Sequence, residues 1–160
     1  MKKLTAEKYR DFLSYVIIFL ISFLVLQSII GMAFIPSGSM EPTLHVGSNY
    51  VFCKLSYLFK DPECGDIIVF DDHGVIYAKR IIGTPGDVVD IKEGSVYING
   101  NKLDEPYANG DTYAYTYEEY IVPEGEFFFL GDNRCNSNDS RLWENPFIKK
   151  EQILGHILFK

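Results

Sequence analysis

Histidine and cysteine are scarce in this 160-residue chain, with three of each. Cys53, Cys64 and Cys135 form no C-x-x-C pair, and only His45, His73 and His156 could join them around a metal, so neither structural zinc nor any other metal or cofactor is expected. Basic residues thin out after the first eleven positions. Lys2, Lys3, Lys8 and Arg10 outweigh Glu7 and Asp11 there, so a formal charge of −7 divides into +2 on that segment and −9 on the rest. An acidic body without a dense Lys/Arg stripe repels phosphate backbones, which excludes nucleic acid from the expected partners. Internal repeats, low-complexity tracts and long linkers are also missing, and charge of either sign is absent from Phe12 to Ile35.

That last absence has a positive meaning. A helix of 24 residues rises about 36 Å, enough to cross a hydrocarbon layer of about 30 Å with some tilt. A buried core helix would keep a polar stripe, whereas only Ser14, Ser22, Gln27 and Ser28 interrupt this apolar surface. A cleaved export signal ending near Gly31-Met32-Ala33 would have a shorter apolar region, of about 7–15 residues. The expectation is therefore an uncleaved transmembrane helix over residues 12–35. The positive-inside rule places residues 1–11 in the cytoplasm and residues 36–160 outside as one compact domain. An exported domain could oxidise one cysteine pair, and Cys53 with Cys64 is the expected choice, both lying near the ends of strands taken to be adjacent.

Beyond the apolar run the periodicity is that of short strands. They are expected at Tyr50–Lys54, Asp66–Asp71, Val75–Gly83, Val88–Lys92, Ser95–Ile98 and Glu126–Leu130. Asp72-His73-Gly74, Thr84-Pro85-Gly86-Asp87, Glu93-Gly94 and Asn99-Gly100 supply hairpin or tight-turn chemistry between them. Residues Asp104 to Glu119 read as a polar, tyrosine-rich excursion, either a flap beside a substrate or a surface loop, with the surface loop favoured.

Pro36-Ser37-Gly38-Ser39-Met40-Glu41-Pro42-Thr43-Leu44 is loop sequence, with prolines that fix the backbone and a glycine that permits close approach. A serine there becomes a nucleophile only beside a base. His45 lies six residues on, but no orienting carboxylate or nucleophile elbow accompanies it. His73 falls in a turn and His156 near the C-terminus, as solvated or packing residues. Lys79 interrupts the strand Val75-Ile76-Tyr77-Ala78-Lys79-Arg80-Ile81-Ile82, on one face with Val75, Tyr77 and Ile81. Held among apolar side chains, its amine would shed its proton near neutral pH; at a strand edge it would instead reach solvent. Arg80, on the other face, cannot deprotonate and so cannot be the base.

Three segments together carry a family resemblance. Pro36-Ser37-Gly38-Ser39-Met40, Lys79-Arg80-Ile81-Ile82-Gly83-Thr84-Pro85-Gly86-Asp87, and Gly131-Asp132-Asn133-Arg134 through Ser137-Asn138-Asp139-Ser140-Arg141 resemble, in order, the nucleophile, general-base and final motifs of bacterial type I signal peptidases. Gly65-Asp66-Ile67-Ile68-Val69-Phe70 is similar to an intervening strand motif of that family. The resemblance implies a mainly β fold, an antiparallel, barrel-like catalytic domain on a single N-terminal transmembrane helix of the bacterial plasma membrane. It implies Ser39 as nucleophile and Lys79 as general base, an oxyanion hole from the Ser39 N–H and the Ser37 hydroxyl, and Ser137 oriented toward the Lys79 amine. Asp139, with Arg141 as ion-pair partner, would hold the last loop, and Asp132, Asn133 and Arg134 would support the turn. Cys135 departs from the polar residue usual at its position.

The substrates so implied are signal peptides of exported preproteins, cut after small-x-small (Ala-x-Ala-like) sequences and bound as an added strand, with Met40 lining the pocket. A self-cleaving repressor-type Ser/Lys peptidase fits poorly with the apolar helix. A catalytically dead tethered binding domain fits poorly with intact Ser39, Lys79, Ser37 and Ser137. A sortase-like enzyme built on Cys135 lacks a strand presenting His and Arg.

Overall fold

The computed structural model describes residues 2–114 and 118–158, with side chains from residue 7 onward. One long helix, α1, spans Lys2–Ile29. Ser14, Ser22 and Ser28 are satisfied locally, donating to the carbonyls of Arg10, Ile18 and Val25 at 2.9, 2.6 and 2.7 Å, so these hydroxyls add no unpaired group to an apolar surface. The stretch Glu7–Ile29 is long and apolar enough to cross a membrane, and none of it is buried inside the protein.

Two boundaries differ from the sequence expectation. The basic N-terminal residues are part of α1 itself, and the uncharged run does not remain helical to Ile35. It turns at Ile30 into strand β1, Ile30–Phe34, paired antiparallel with β2, Asn49–Cys53, from Ile30 opposite Cys53 to Phe34 opposite Asn49. Gly31 permits this pairing, since a Cβ there would stand 2.2 Å from the Phe52 ring. Lys54 then ties the strand pair back to the helix end, its N–H donating to the Ile29 carbonyl at 2.8 Å and its Nζ to that of Gln27 at 2.9 Å.

The remaining strands are β3 Ile67–Asp72, β4 Val75–Gly83, β5 Val88–Lys92, β6 Ser95–Ile98, β7 Asn101–Lys102, β8 Tyr120–Ile121, β9 Glu126–Leu130, β10 Phe147–Lys149 and β11 Ile153–Ile157. They form a seven-stranded sheet, β1-β2-β11-β3-β4-β9-β10, and a four-stranded sheet, β7-β6-β5-β8, with every strand pair antiparallel. The mainly β antiparallel class expected from the sequence is the class observed. Hairpins close at His73-Gly74, Glu93-Gly94 and Asn99-Gly100, where both residues of each pair have positive φ, as the two-residue turn that matches strand twist requires.

Because β11 lies between β2 and β3, Cys53 and Cys64 do not sit on neighbouring strands. All three cysteines are free thiols, and the expected Cys53–Cys64 pairing is not made. Three apolar clusters fill the interior. One packs Ala33, Ile35, Met40 and Leu44 against Phe52 and Val69, a second lies between Ile82, Val89, Val122 and Phe128, and a third gathers Ile68, Phe70, Ile81 and Phe129.

Candidate active site

The site begins with a short 3-10 turn, Gly38–Met40, that follows β1. Met40 and Leu44 are 1% and 0% exposed, and their burial pins the loop to the first cluster. Ser39, in the segment read as loop sequence, is itself only 9% exposed. Met40 is thus a core residue as well as part of the wall of a cleft of about 180 Å³, which Phe34, Ile35, Ser37, Ile76, Tyr77 and Lys79 also line.

Lys79 comes from the middle of β4, opposite Ile68 of β3, and is 3% exposed. It does not snorkel to solvent. Its Nζ lies 2.5 Å from the Ser39 Oγ. Burial is the main cause that pushes its pKa down to about 8; the Asp139 and Asp132 carboxylates pull it upward and the Arg141 guanidinium lowers it again. Desolvation disfavours the ammonium form, so a usable fraction of neutral amine exists close to neutral pH. A neutral amine at this distance can accept the serine proton. The Ser37 hydroxyl stands 3.4 Å from that of Ser39.

The histidines are engaged elsewhere. Exposed His45 pairs through Nδ1 with Glu41 at 3.0 Å, His73 is 95% exposed at its hairpin tip, and His156 lies beside Asp66 at 3.6 Å.

Ser137, expected to orient the Lys79 amine, does not make that hydrogen bond. Its buried Oγ finds no partner among the described residues. It is nevertheless close to the nucleophile, because a Cβ on Gly131 would stand 2.2 Å from Ser137 Oγ and 2.4 Å from the Ser39 carbonyl oxygen. Asp139 accepts two bonds from the Arg141 guanidinium, at 2.8 and 2.9 Å, and one from the Gly131 N–H at 3.0 Å, so this pair closes the last loop. Cys135 is exposed, its thiol facing the Asp111 carbonyl at 3.8 Å.

Several site contacts were not anticipated. Arg80 donates to Asp132 twice, at 2.8 and 2.6 Å, with side-chain exposures of 2% and 0%. Thr43 of the nucleophile loop donates to the same carboxylate at 2.5 Å. Asn133 holds the nucleophile backbone from the other side, its N–H on the Ser39 carbonyl and its Nδ2 on that of Gly38, both at 3.0 Å. The available signal was Arg80 itself: a guanidinium inside an apolar strand needs a buried acid, and Asp132 is one of few acids in a motif-like turn.

A mainly β domain in which a buried amine meets a loop hydroxyl has the architecture of a serine peptidase. Comparison with known proteins agrees, since the family described as signal peptidase, peptidase S26, matches residues 9–160. The chain belongs to that family of serine endopeptidases. Among similar proteins are a probable signal peptidase I-2 of Synechocystis, 44% identical over 76% of this chain, and signal peptidase I S of Bacillus subtilis, 36% identical over 97% of this chain and 91% of its own length. The match spans 58% of the length of the Synechocystis protein. A crystal structure of a signal peptidase I from Enterococcus faecalis superposes with a TM-score of 0.52 at 33% identity, over 62% of this chain and 98% of that one.

Proposed function

We propose that the protein is a membrane-anchored serine endopeptidase that removes signal peptides from exported preproteins, with Ser39 and Lys79 as its catalytic dyad. The observation that carries the reading is the 2.5 Å approach of the buried Lys79 amine to the Ser39 hydroxyl. The neutral amine takes the hydroxyl proton as Oγ bonds to the scissile carbonyl carbon. The resulting oxyanion is met by the Ser39 N–H and by the Ser37 hydroxyl. The Lys79 ammonium then returns the proton to the departing amine as the C–N bond breaks. The same amine deprotonates a water whose oxygen bonds to the acyl carbon, and it returns that proton to the Ser39 Oγ as the acyl C–O bond breaks.

The cleft between the segment Phe34–Ser37 and the start of β4 suits a peptide bound as an extended strand, and its small volume favours Ala-x-Ala-like sequences before the cut. Asp139 and Arg141 stabilise the loop that carries Ser137. α1 anchors the enzyme in the plasma membrane, residues 1–11 being cytoplasmic and the peptidase domain of residues 36–160 outside.

The test is cleavage of a preprotein with alanine at the first and third positions before the cut. Ser39→Ala abolishes turnover, and Lys79→Arg is as inactive as Lys79→Ala because its charge cannot be shed. His45→Ala retains activity. A dead His45→Ala beside an active Lys79→Ala would overturn the dyad.

A further inference from the structure

The excursion after β7 is clamped onto the turn that holds the nucleophile. Glu105, with 9% side-chain exposure, pairs with the fully buried Arg134 side chain, accepting two bonds at 2.9 and 2.5 Å. Thr112, 2% exposed, accepts a third from the same guanidinium at 2.6 Å. The Tyr107 ring lies flat enough over Arg80 to bring its centroid within 3.8 Å of the guanidinium carbon, and stands 6.0 Å from that of Arg134. Between these side chains the Asn109 N–H donates to the Asp132 carbonyl at 2.7 Å, and the Arg134 N–H donates to the Asn109 carbonyl at 3.0 Å. Residues 105–112 are therefore a strap: they lie at the surface, with Pro106, Asn109, Gly110 and Asp111 exposed, but are clamped to the turn by Glu105, Tyr107 and Thr112.

The two ends of this network meet at the loop that carries Ser39. Through Arg134 the strap fixes Asn133, which holds the Gly38 and Ser39 carbonyls. Through Arg80 it covers Asp132, which holds Thr43 of the same loop. Arg80 is also the chain neighbour of Lys79.

We propose that Glu105 and Tyr107 are positioning residues of the reaction, setting the Ser39 turn against Lys79 through Arg134 and Arg80. The proposal rests on Ser39 and Lys79 being the dyad. A misplacement of about 1 Å at a reacting centre can cost roughly a hundredfold in rate, so a clamp of this kind acts on turnover rather than on substrate affinity. Tyr107 acts through its ring, which stacks on Arg80, and the hydroxyl contributes little, its contact with Glu105 being long at 3.3 Å.

The experiment uses the full chain in detergent-lipid micelles with a peptide carrying Ala-x-Ala before the cut. Glu105→Gln and Tyr107→Leu are expected to lower kcat by about a hundredfold with KM changed less than about threefold, while Tyr107→Phe stays within about threefold of the parent. A fluorophosphonate probe gives a second readout, its rate of labelling Ser39 falling in step with kcat in the two impaired variants. Unchanged kcat in folded Glu105→Gln and Tyr107→Leu would overturn the proposal, as would a loss confined to KM or equal losses in the Phe and Leu variants. If Glu105→Gln melts below the assay temperature, the Phe and Leu pair decides. Ser39→Ala and Lys79→Ala run in parallel separate the two readings: activity in either sinks the dyad, whereas inactivity of both beside a fully active Tyr107→Leu sinks the strap alone.

Discussion

Lys79 carries opposing consequences for activity and stability. With its pKa pushed down to about 8, kcat/KM should rise with pH through an ionisation near 8, leaving about a tenth of the plateau at pH 7. A profile turning near pH 6.5 would instead indicate a histidine. The folded state holds this proton less tightly than the unfolded chain, whose lysine keeps its ordinary value near 10.5. Between the two values the unfolded state binds more protons, so stability rises with pH through that window, and below pH 8 the full penalty, about 3 kcal/mol, is present. Lys79→Met should therefore be inactive yet more stable than the parent at pH 7, with the gap in denaturant midpoint closing as pH approaches 10.5. The placement of Ser39 on a loop and of Lys79 inside a strand was legible in the sequence, because a loop serine and a strand-borne lysine stand out against their neighbours. The partner of Arg80 was not, since nothing local links positions 80 and 132. The expected Ser137–Lys79 hydrogen bond is not made, a side-chain contact that a sequence motif does not encode.

Strands β4, β5, β6 and β9 match their sequence-expected bounds, and β2 and β3 are each displaced by one residue. Alternation and two-residue glycine turns specify such hairpins locally. β1 was hidden inside an uncharged run that reads as helix to its end, β7 is only a two-residue continuation of the Asn99-Gly100 hairpin, and β8, β10 and β11 pair with strands distant in sequence. The strap escaped for the same reason, its polar residues looking like a solvated loop when their acceptors and donors lie on the turn after β9. That turn gives an element-scale prediction. Gly131 has an ordinary backbone conformation, but its α-carbon faces Ser137 Oγ and the Ser39 carbonyl. Gly131→Ala should push the nucleophile turn away from β4. A loss of roughly a hundredfold in kcat is expected, with about 1–3 kcal/mol of destabilisation from overpacking. Parent-like kcat would show that the turn can yield without moving Ser39.

Across the whole molecule the charge asymmetry and the single apolar helix predict the arrangement in a cell. Protease added to outward-facing spheroplasts should digest the β domain while an epitope placed before Glu7 stays protected, and the reverse pattern would exclude processing of exported substrates. The direct passage of α1 into β1, braced by Lys54 on the last helical turn, has a further consequence. Phe34 and Ile35, which wall the cleft, are separated from the helix end by a few residues of paired strand, and a strand advances about 3.3 Å per residue. Under the proposed anchoring and dyad, this short passage would act as a gauge, holding the cutting point at a set height above the lipid. Which bond of a preprotein reaches Ser39 would then depend on how many residues its own apolar segment leaves protruding, as well as on the residues the cleft admits.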